Sequence, residues 1–257
     1  MFPVIQVGPL TIQTPGLILI IFFWFGLELS ERIASKREFP VDKLNAVVLI
    51  SLFAGLLGSR ISYALNHYTA FKDDFSSLYS LNPGLLDPFG GLVTGLLAGI
   101  IYGRKKNMSA WETMDVLTPL LAVLMIGVNI VNLASGNAYG TNTNLPWGIN
   151  FLGASRHPSQ VYAIIASSIT LTLLWKDFLK VGSPGYIFLK FAMITSAWLI
   201  FLEGFRGDFQ PLVIGIRVSQ IIALIVFLVS ALLFEKVTAD AQINTEGNEV
   251  ENGQDNN

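Results

Sequence analysis

The chain has 257 residues, of which 52% are hydrophobic and 13% are charged, and its formal net charge is −2 at pH 7. This composition is too apolar for an ordinary water-soluble domain of this length, and it favours an integral membrane protein. The chain contains no cysteine, which excludes disulfides, thiolate metal sites and a cysteine nucleophile, while the weak net charge argues against nucleic acid as a partner.

Seven apolar segments have the length of a membrane-crossing helix, which needs about 20 mostly apolar residues. They lie near residues 13–30, 44–65, 89–103, 112–134, 160–175, 185–205 and 213–235. Lys and Arg are concentrated after the first, third, fifth and seventh segments, which predicts an N-terminus outside and a C-terminus in the cytoplasm. We therefore expect an all-α membrane protein with seven transmembrane helices over residues 1–236. The Asn-, Glu- and Gly-rich residues 237–257 are expected to be a disordered cytoplasmic tail.

Glycines recur every four residues in the third segment, at Gly91, Gly95 and Gly99. This spacing places three positions without side chains on one helix face and predicts close packing against another helix. Gly90 and Gly91 also open the segment, where unpaired backbone N–H groups are suited to bind a phosphate. Both hypotheses, helix packing and phosphate binding, are compatible with the sequence.

Polar side chains inside the apolar segments cost about 2.5–3.5 kcal/mol each at a helix centre unless they are paired or face water. The set comprises Arg60, Asn129, Asn132, Lys190, Glu203, Arg206, Arg217 and Gln220. Glu203 and Arg206 are three residues apart, so they share a helix face and are expected to form an ion pair. Arg60 has no acidic residue within two helical turns, and a lipid phosphate or a distant carboxylate is its expected partner.

The segment between the fourth and fifth apolar runs, residues 135–160, is rich in Gly, Asn, Pro and Trp. Such a composition is typical of a structured loop at the membrane interface. His157 is one of only two histidines, and it is suited either to act as a general base near neutral pH or to hold the loop backbone by hydrogen bonding.

Seven short motifs in order resemble the prolipoprotein diacylglyceryl transferase family: "VGPLTIQTPG", "GSRISY", "GGL", "MDVLTP", "NLASGNAYG", "RHPSQVY" and "EGFR". The similarity runs from about residue 3 to residue 235. It implies a multi-pass enzyme of the bacterial plasma (inner) membrane that transfers a diacylglyceryl group from phosphatidylglycerol to the lipobox cysteine thiol of a preprolipoprotein signal peptide. Glycerol phosphate is the implied leaving group, and no cofactor or metal is implied.

The resemblance also implies which residues form the site. Its chemistry requires a cation for the lipid phosphate and a base for the incoming thiol. The candidate catalytic residues are Glu203, which matches the family's acidic residue, and His157, which could substitute for the family's histidine as the base. The implied substrate-binding residues are Arg60, Gly90, Gly91, Asn132, Gly140, Arg156, Ser159, Gln160 and Arg206.

Five positions depart from the family pattern: Phe89, Asn129 and Leu199 stand where it has a histidine and two arginines, Pro15 where it has a tyrosine and Asn137 where it has an acidic residue. Phenylalanine accepts no proton, and neither leucine nor asparagine neutralises a phosphate. Three functions therefore remain open. They are a divergent active transferase, a relative that binds phospholipid or modifies another substrate, and an unrelated transporter or scaffold whose polar side chains line a permeation path.

Overall fold

The computed structural model describes residues 4–7, 10–69, 85–180, 182–208 and 216–254, with side chains from residue 13 to residue 239 within these ranges. The described residues form seven α-helices, one 3-10 helix and two short antiparallel hairpins. The helices are α1 Thr14–Lys36, α2 Val41–Asn66, α3 Pro88–Lys105, α4 Ala110–Ser135, α5 Ser159–Phe178, α6 Tyr186–Leu202 and α7 Val218–Gln254; the 3-10 helix is Glu203–Phe205. The strands are β1 Val4–Val7, β2 Leu10–Gln13, β3 Ile149–Phe151 and β4 Ala154–Arg156.

Five of these helical stretches are long and apolar enough to cross a membrane: Val41–Asn66, Ala110–Ser135, Ser159–Phe178, Tyr186–Phe205 and Val218–Ala239. Large apolar side chains on them are exposed, such as Leu57 (67%) and Leu232 (68%). Exposed apolar faces of this extent are stable only in contact with lipid or another apolar partner. The predicted all-α membrane class is confirmed at this level, and α1 and α3 coincide with the two remaining predicted segments.

The helix α7 differs from the expectation for the C-terminal residues. Its backbone is helical to Gln254, whereas the composition of residues 237–257 predicts disorder. Extending an existing helix needs no new nucleation step, and this explains how a polar sequence continues the helical backbone of the apolar run before it.

The chain divides into two compact units, Glu38–Thr113 and Met1–Arg37 with Met114–Asn257. In the smaller unit, α2 packs on α3 through the glycine face that the sequence predicts. A Cβ atom on Gly95 would lie 2.8 Å from the Ser51 carbonyl oxygen, and one on Gly55 would lie 3.1 Å from the Gly91 carbonyl oxygen. The backbones therefore approach so closely that a methyl group at Gly95 would require a backbone shift, and one at Gly55 would require a smaller adjustment.

In the larger unit, Asp115 on α4 joins three parts of the chain. Its fully buried carboxylate accepts hydrogen bonds from the backbone N–H groups of Gly185 and Phe188, both at 2.9 Å, at the start of α6. The carboxylate also accepts a hydrogen bond from Arg37 Nη1 at 3.5 Å, while Arg37 Nη2 donates to the Lys180 carbonyl oxygen at 2.7 Å. Asp115 thus caps a helix that is distant in sequence and satisfies N–H groups that have no partner within α6.

Two other contacts explain polar residues inside apolar helices of this unit. Ser30 Oγ on α1 accepts the Leu120 N–H at 2.9 Å, next to Pro119, which lies inside α4 and has no backbone N–H to donate. Lys190 on α6 pairs with Asp177 on α5 at 2.7 Å. Lys190 therefore has a structural partner at a position where the apolar surroundings make an unpaired charge costly.

Candidate functional site

A cavity of about 370 Å³ lies among α4, α5, α6, the 3-10 helix and α7 of the larger unit. Its polar lining residues are Asn129, Asn132, Ser159, Gln160, Ser167, Thr195, Ser196, Glu203 and Arg206, and its apolar lining includes Met125, Ala166, Trp198, Leu199, Leu202, Ile222 and Val226. Glu203 and Arg206 follow the end of α6, whereas Thr195 and Val226 lie further along the helices. The cavity is therefore charged at the end of α6 and mostly apolar along its length, a composition suited to a lipid with a polar head.

Glu203 is the buried centre of the polar end, with 1% of the residue exposed. Its Oε2 accepts from Arg206 Nη1 at 3.2 Å, and its Oε1 accepts from Ser219 Oγ at 2.8 Å. Arg217 Nη1 lies 3.7 Å from the same Oε1. The predicted ion pair between Glu203 and Arg206 is confirmed, and it is part of a larger network that joins the end of α6 to the start of α7.

Arg206 has a second carboxylate partner, Asp208, which the sequence analysis does not predict. Its Nε and Nη2 donate to the two oxygens of Asp208 at 3.0 and 2.8 Å. Burial alone would raise the pKa of Asp208, but the hydrogen bonds and charge of Arg206 outweigh it and hold that pKa below its ordinary value. The two arginines and two carboxylates of the network, Arg206, Arg217, Glu203 and Asp208, carry no net charge.

The loop after α4 is attached to this network through its backbone. Thr141 N donates to the Phe205 carbonyl oxygen at 2.8 Å, and Gly207 N donates to the Tyr139 carbonyl oxygen at 2.7 Å. Between them Gly140 pairs with Arg206 in a β-bridge, and a Cβ on Gly140 would overlap the His157 backbone. Gly140, predicted to bind substrate, therefore has a clear packing requirement: it lets the loop backbone approach both His157 and Arg206.

Ser159 and Gln160, the first two residues of α5, hold the same loop with their side chains. Ser159 Oγ donates to the Ala138 carbonyl oxygen at 2.6 Å, and Gln160 Nε2 donates to the Asn137 carbonyl oxygen at 2.9 Å. Both residues are buried and both line the cavity. The structure thus brings Asn132, Ser159, Gln160, Glu203 and Arg206 to one cavity, which accounts for five of the predicted site residues.

Arg156 lies in β4 and is absent from the residues that line this cavity. Its Nε donates to the Phe151 carbonyl oxygen at 3.1 Å, and its Nη1 donates to the Gly140 carbonyl oxygen at 3.2 Å. The guanidinium carbon also lies 5.0 Å from the centre of the Tyr139 ring. These contacts give Arg156 a role in shaping the loop, and its predicted binding of substrate stays a prediction.

His157 lines a second groove, of about 420 Å³, with mainly apolar walls that include Trp147, Ile165, Phe201 and Phe205. Its Nδ1 lies 3.4 Å from the Tyr162 hydroxyl, which accepts the Trp147 indole N–H at 2.8 Å. Ala166, Trp198 and Leu202 line both the groove and the cavity. The predicted base is therefore placed beside the cavity, across a shared wall, and not in its lining.

The remaining predicted residues belong to the smaller unit. Arg60 Nη1 donates to the Leu85 carbonyl oxygen at 3.1 Å. A Cβ on Gly90 would overlap Ser62, and one on Gly91 would lie 2.9 Å from the Ser59 Cβ, so both glycines serve the packing of α2 on α3. Their phosphate role stays a prediction.

Asp87 caps the start of α3, where the sequence suggested a phosphate. Its Oδ1 accepts the Phe89 N–H at 3.0 Å and its Oδ2 accepts the Ser62 hydroxyl. The hydrogen bond from Ser62 is the main reason that the pKa of Asp87 lies below its ordinary value. A carboxylate thus already occupies the amide groups of this helix terminus, and the Phe89 side chain beside it is 75% exposed.

The model of the prolipoprotein diacylglyceryl transferase family matches residues 3–235 of this chain. The chain belongs to that family. A phosphatidylglycerol–prolipoprotein diacylglyceryl transferase of Clostridioides difficile is 31% identical over 202 residues, covering 76% of this chain and 77% of the relative. Proteins of the same name from Acaryochloris marina and Prochlorococcus marinus (strain NATL2A) are 25% and 28% identical, and they cover 86% and 88% of this chain.

Two uncharged residues of this diacylglyceryl transferase family member, Asn129 and Leu199, line the cavity. Asn129 Nδ2 donates to Ser167 Oγ at 2.8 Å and to the Met125 carbonyl oxygen at 2.9 Å, and Leu199 adds an apolar side chain. Glu203 and Arg206 are consequently the charged residues of the described lining, and their formal charges cancel.

Proposed function

We propose that this family member transfers a diacylglyceryl group from phosphatidylglycerol to the lipobox cysteine of a preprolipoprotein signal peptide. The observation that supports this most directly is the cavity, in which Arg206 and Glu203 lie at one end and the rest of the lining is mainly apolar, with uncharged polar side chains such as Asn129, Ser167 and Thr195. Such a lining suits a lipid whose phosphate meets the guanidinium while the acyl chains contact apolar walls. Family membership supports the same function.

We further propose that the protein lies in the bacterial plasma membrane with seven spans and an external N-terminus. The helices α1 and α3 have 23 and 18 residues, which correspond to roughly 35 and 27 Å of helix at 1.5 Å per residue. Both lengths are close to the hydrocarbon thickness of a bilayer. The distribution of Lys and Arg supports the external N-terminus.

In the proposed reaction the acceptor thiol loses its proton to a base. The thiolate sulfur then attacks the carbon of the diacylglycerol unit that is bonded to the phosphate oxygen. A carbon–sulfur bond forms, the carbon–oxygen bond breaks, and the bonding electrons leave with glycerol phosphate. Arg206 would stabilise the negative charge on that leaving group. Because the Glu203 oxygens already accept from Arg206 and Ser219, we assign Glu203 to positioning Arg206 and His157 to accepting the proton.

A second function is supported by the cavity charges. The formal charges of Arg206 and Glu203 cancel, and Asn129 and Leu199 add none. A cavity without excess positive charge is less suited to stabilise a departing phosphate. This favours, as the alternative, a catalytically altered relative that binds phospholipid or modifies another substrate.

Complementation distinguishes the two functions. The chain is expressed in a bacterial cell depleted of its own transferase, and a lipobox peptide is examined by mass spectrometry for the added diacylglyceryl group. The transferase predicts modified peptide with the wild type and with Ser168→Ala, whose hydroxyl donates only to Ile164 within α5 among its described contacts, but none with Arg206→Gln. Unmodified peptide despite normal membrane expression of the wild type would reject the transferase and favour the alternative.

A further inference from the structure

Gln160 has a buried side-chain amide of which only the nitrogen forms a hydrogen bond within the described residues. The residue is 2% exposed and lines the cavity. Its Nε2 donates to the Asn137 carbonyl oxygen at 2.9 Å, which fixes the orientation of the amide because the reverse orientation would place two acceptors against each other. Among the described residues its Oε1 has no hydrogen-bond partner.

An acceptor in this position requires a donor from another molecule. Burying an amide oxygen without a hydrogen bond is unfavourable, and most buried polar atoms in proteins have a partner. Gln160 shares the cavity lining with Arg206 and Glu203, and it is the second residue of α5, at the end of the helix that is joined to the loop. A ligand whose phosphate contacts Arg206 therefore brings its headgroup to the end of the cavity that contains Gln160.

The chemistry of a diacyl phospholipid identifies which group meets the amide. Its ester carbonyls and phosphate oxygens are acceptors and cannot pair with Oε1. In phosphatidylglycerol the hydrogen-bond donors are the two hydroxyls of the headgroup. We infer that Gln160 Oε1 accepts a hydrogen bond from a headgroup hydroxyl while Arg206 binds the phosphate, so that Gln160 selects hydroxylated headgroups. This inference rests on the proposed binding of phospholipid in the cavity.

The test compares two lipids of equal charge, phosphatidylglycerol and phosphatidylmethanol, whose methyl headgroup has no donor. The full chain is purified in nanodiscs that contain both, and the lipid it retains is quantified by native mass spectrometry. We expect the wild type to retain phosphatidylglycerol in roughly fivefold preference, which is the factor that one hydrogen bond of about 1 kcal/mol provides. Equal retention would overturn the inference and leave Gln160 Oε1 to an ordered water.

The variant Gln160→Met keeps the volume and removes the acceptor together with the Nε2 donor to the Asn137 carbonyl oxygen. It should lower the retention of phosphatidylglycerol to that of phosphatidylmethanol and leave the retention of phosphatidylmethanol unchanged, which also shows that the variant is folded. A parallel loss of both lipids would mean that Gln160 only anchors the loop, and it would overturn the inference. Ser168→Ala is the matched control in α5 and should keep the preference.

These outcomes are separate from those of the transferase assay. Selective retention without modified peptide would uphold the headgroup contact and reject the proposed reaction. Modified peptide without lipid selectivity would uphold the reaction and reject the role of Gln160.

Discussion

Asp208 holds Arg206 through both of its carboxylate oxygens, at 3.0 Å from Nε and 2.8 Å from Nη2. A phosphate binds an arginine in the same two-point geometry. The carboxylate therefore occupies the guanidinium edge that a lipid phosphate would use, and the two anions compete for it.

Replacing Asp208 by Asn should strengthen the binding of phosphatidylglycerol. The amide keeps the shape of the side chain but removes one negative charge next to Arg206. We expect the affinity to rise about two- to fivefold, corresponding to the 0.5–1 kcal/mol of a partly exposed ion pair. Retention of phosphatidylglycerol by the purified variant measures the effect, with Glu28→Gln at an exposed ion pair as control. A lower affinity would show that Asp208 is needed to orient Arg206.

The same pair predicts a pH dependence of stability. Because the folded-state pKa of Asp208 is lowered, its contribution is complete above the ordinary aspartate pKa of about 3.9 and is lost as the pH falls through the lower folded value. The difference in melting temperature between the wild type and Asp208→Asn should be constant from pH 7 to pH 5 and shrink below about pH 4. Thermal unfolding in detergent measures it. A difference that vanishes already near pH 6 would contradict the assignment to this carboxylate.

The sequence predicts the helices, and the residues that share a helix face, better than it predicts which way side chains point in the folded protein. The four-residue spacing of Gly91, Gly95 and Gly99 is sufficient to predict a packing face, because helix periodicity alone places them together. The pairing of Glu203 with Arg206 follows from the same periodicity. Local spacing thus accounts for the contacts within one helix and its adjoining turn.

Contacts that depend on tertiary packing could not be predicted in the same way. Arg156 is predicted to bind a phosphate, and the structure adds that two of its donors, Nε and Nη1, bind the Phe151 and Gly140 carbonyl oxygens of its own loop. The ion pair of Asp208 with Arg206 could have been predicted, because the two residues are only two positions apart. The contact of Ser219 with Glu203, by contrast, depends on how α7 packs against the end of α6. The separation of His157 from the cavity by Trp198 and Leu202 likewise depends on the packing of α5 against α6.

The packing of α2 on α3 predicts opposite effects for two glycines of the same helix. Gly95→Ala places a methyl group about 2.8 Å from the Ser51 carbonyl oxygen, a backbone atom that cannot move away alone. We expect a loss of about 1–3 kcal/mol in stability from overpacking. Gly103→Ala meets no described atom within 4 Å and should be neutral or stabilising by up to about 1 kcal/mol through helix propensity. Equal melting temperatures for the two variants would contradict the close packing.

The buried carboxylate of Asp115 should be important for stability. In Asp115→Asn a single amide oxygen must replace two carboxylate oxygens that accept from Gly185, Phe188 and Arg37. At least one buried donor loses its partner, and we expect a loss of about 2–4 kcal/mol. Thermal unfolding measures it, with the exposed Glu112→Gln as the control. A change in melting temperature no larger than that of the control would mean that the amide together with water satisfies these donors.

The assignment of His157 as the base predicts a selective loss of transfer. His157→Gln should lower the transfer rate by roughly 10²–10⁴-fold, the contribution typical of a positioned base, and leave the retention of phosphatidylglycerol unchanged, because His157 lies outside the cavity lining. Tyr162→Phe removes the hydroxyl 3.4 Å from His157 Nδ1 but keeps the ring packed on Phe205, so its effect should be smaller. Since proton transfer from the thiol is the step affected, an acceptor already present as thiolate at high pH should react at similar rates with His157→Gln and the wild type. A uniform loss at every pH would assign His157 to the structure of the loop.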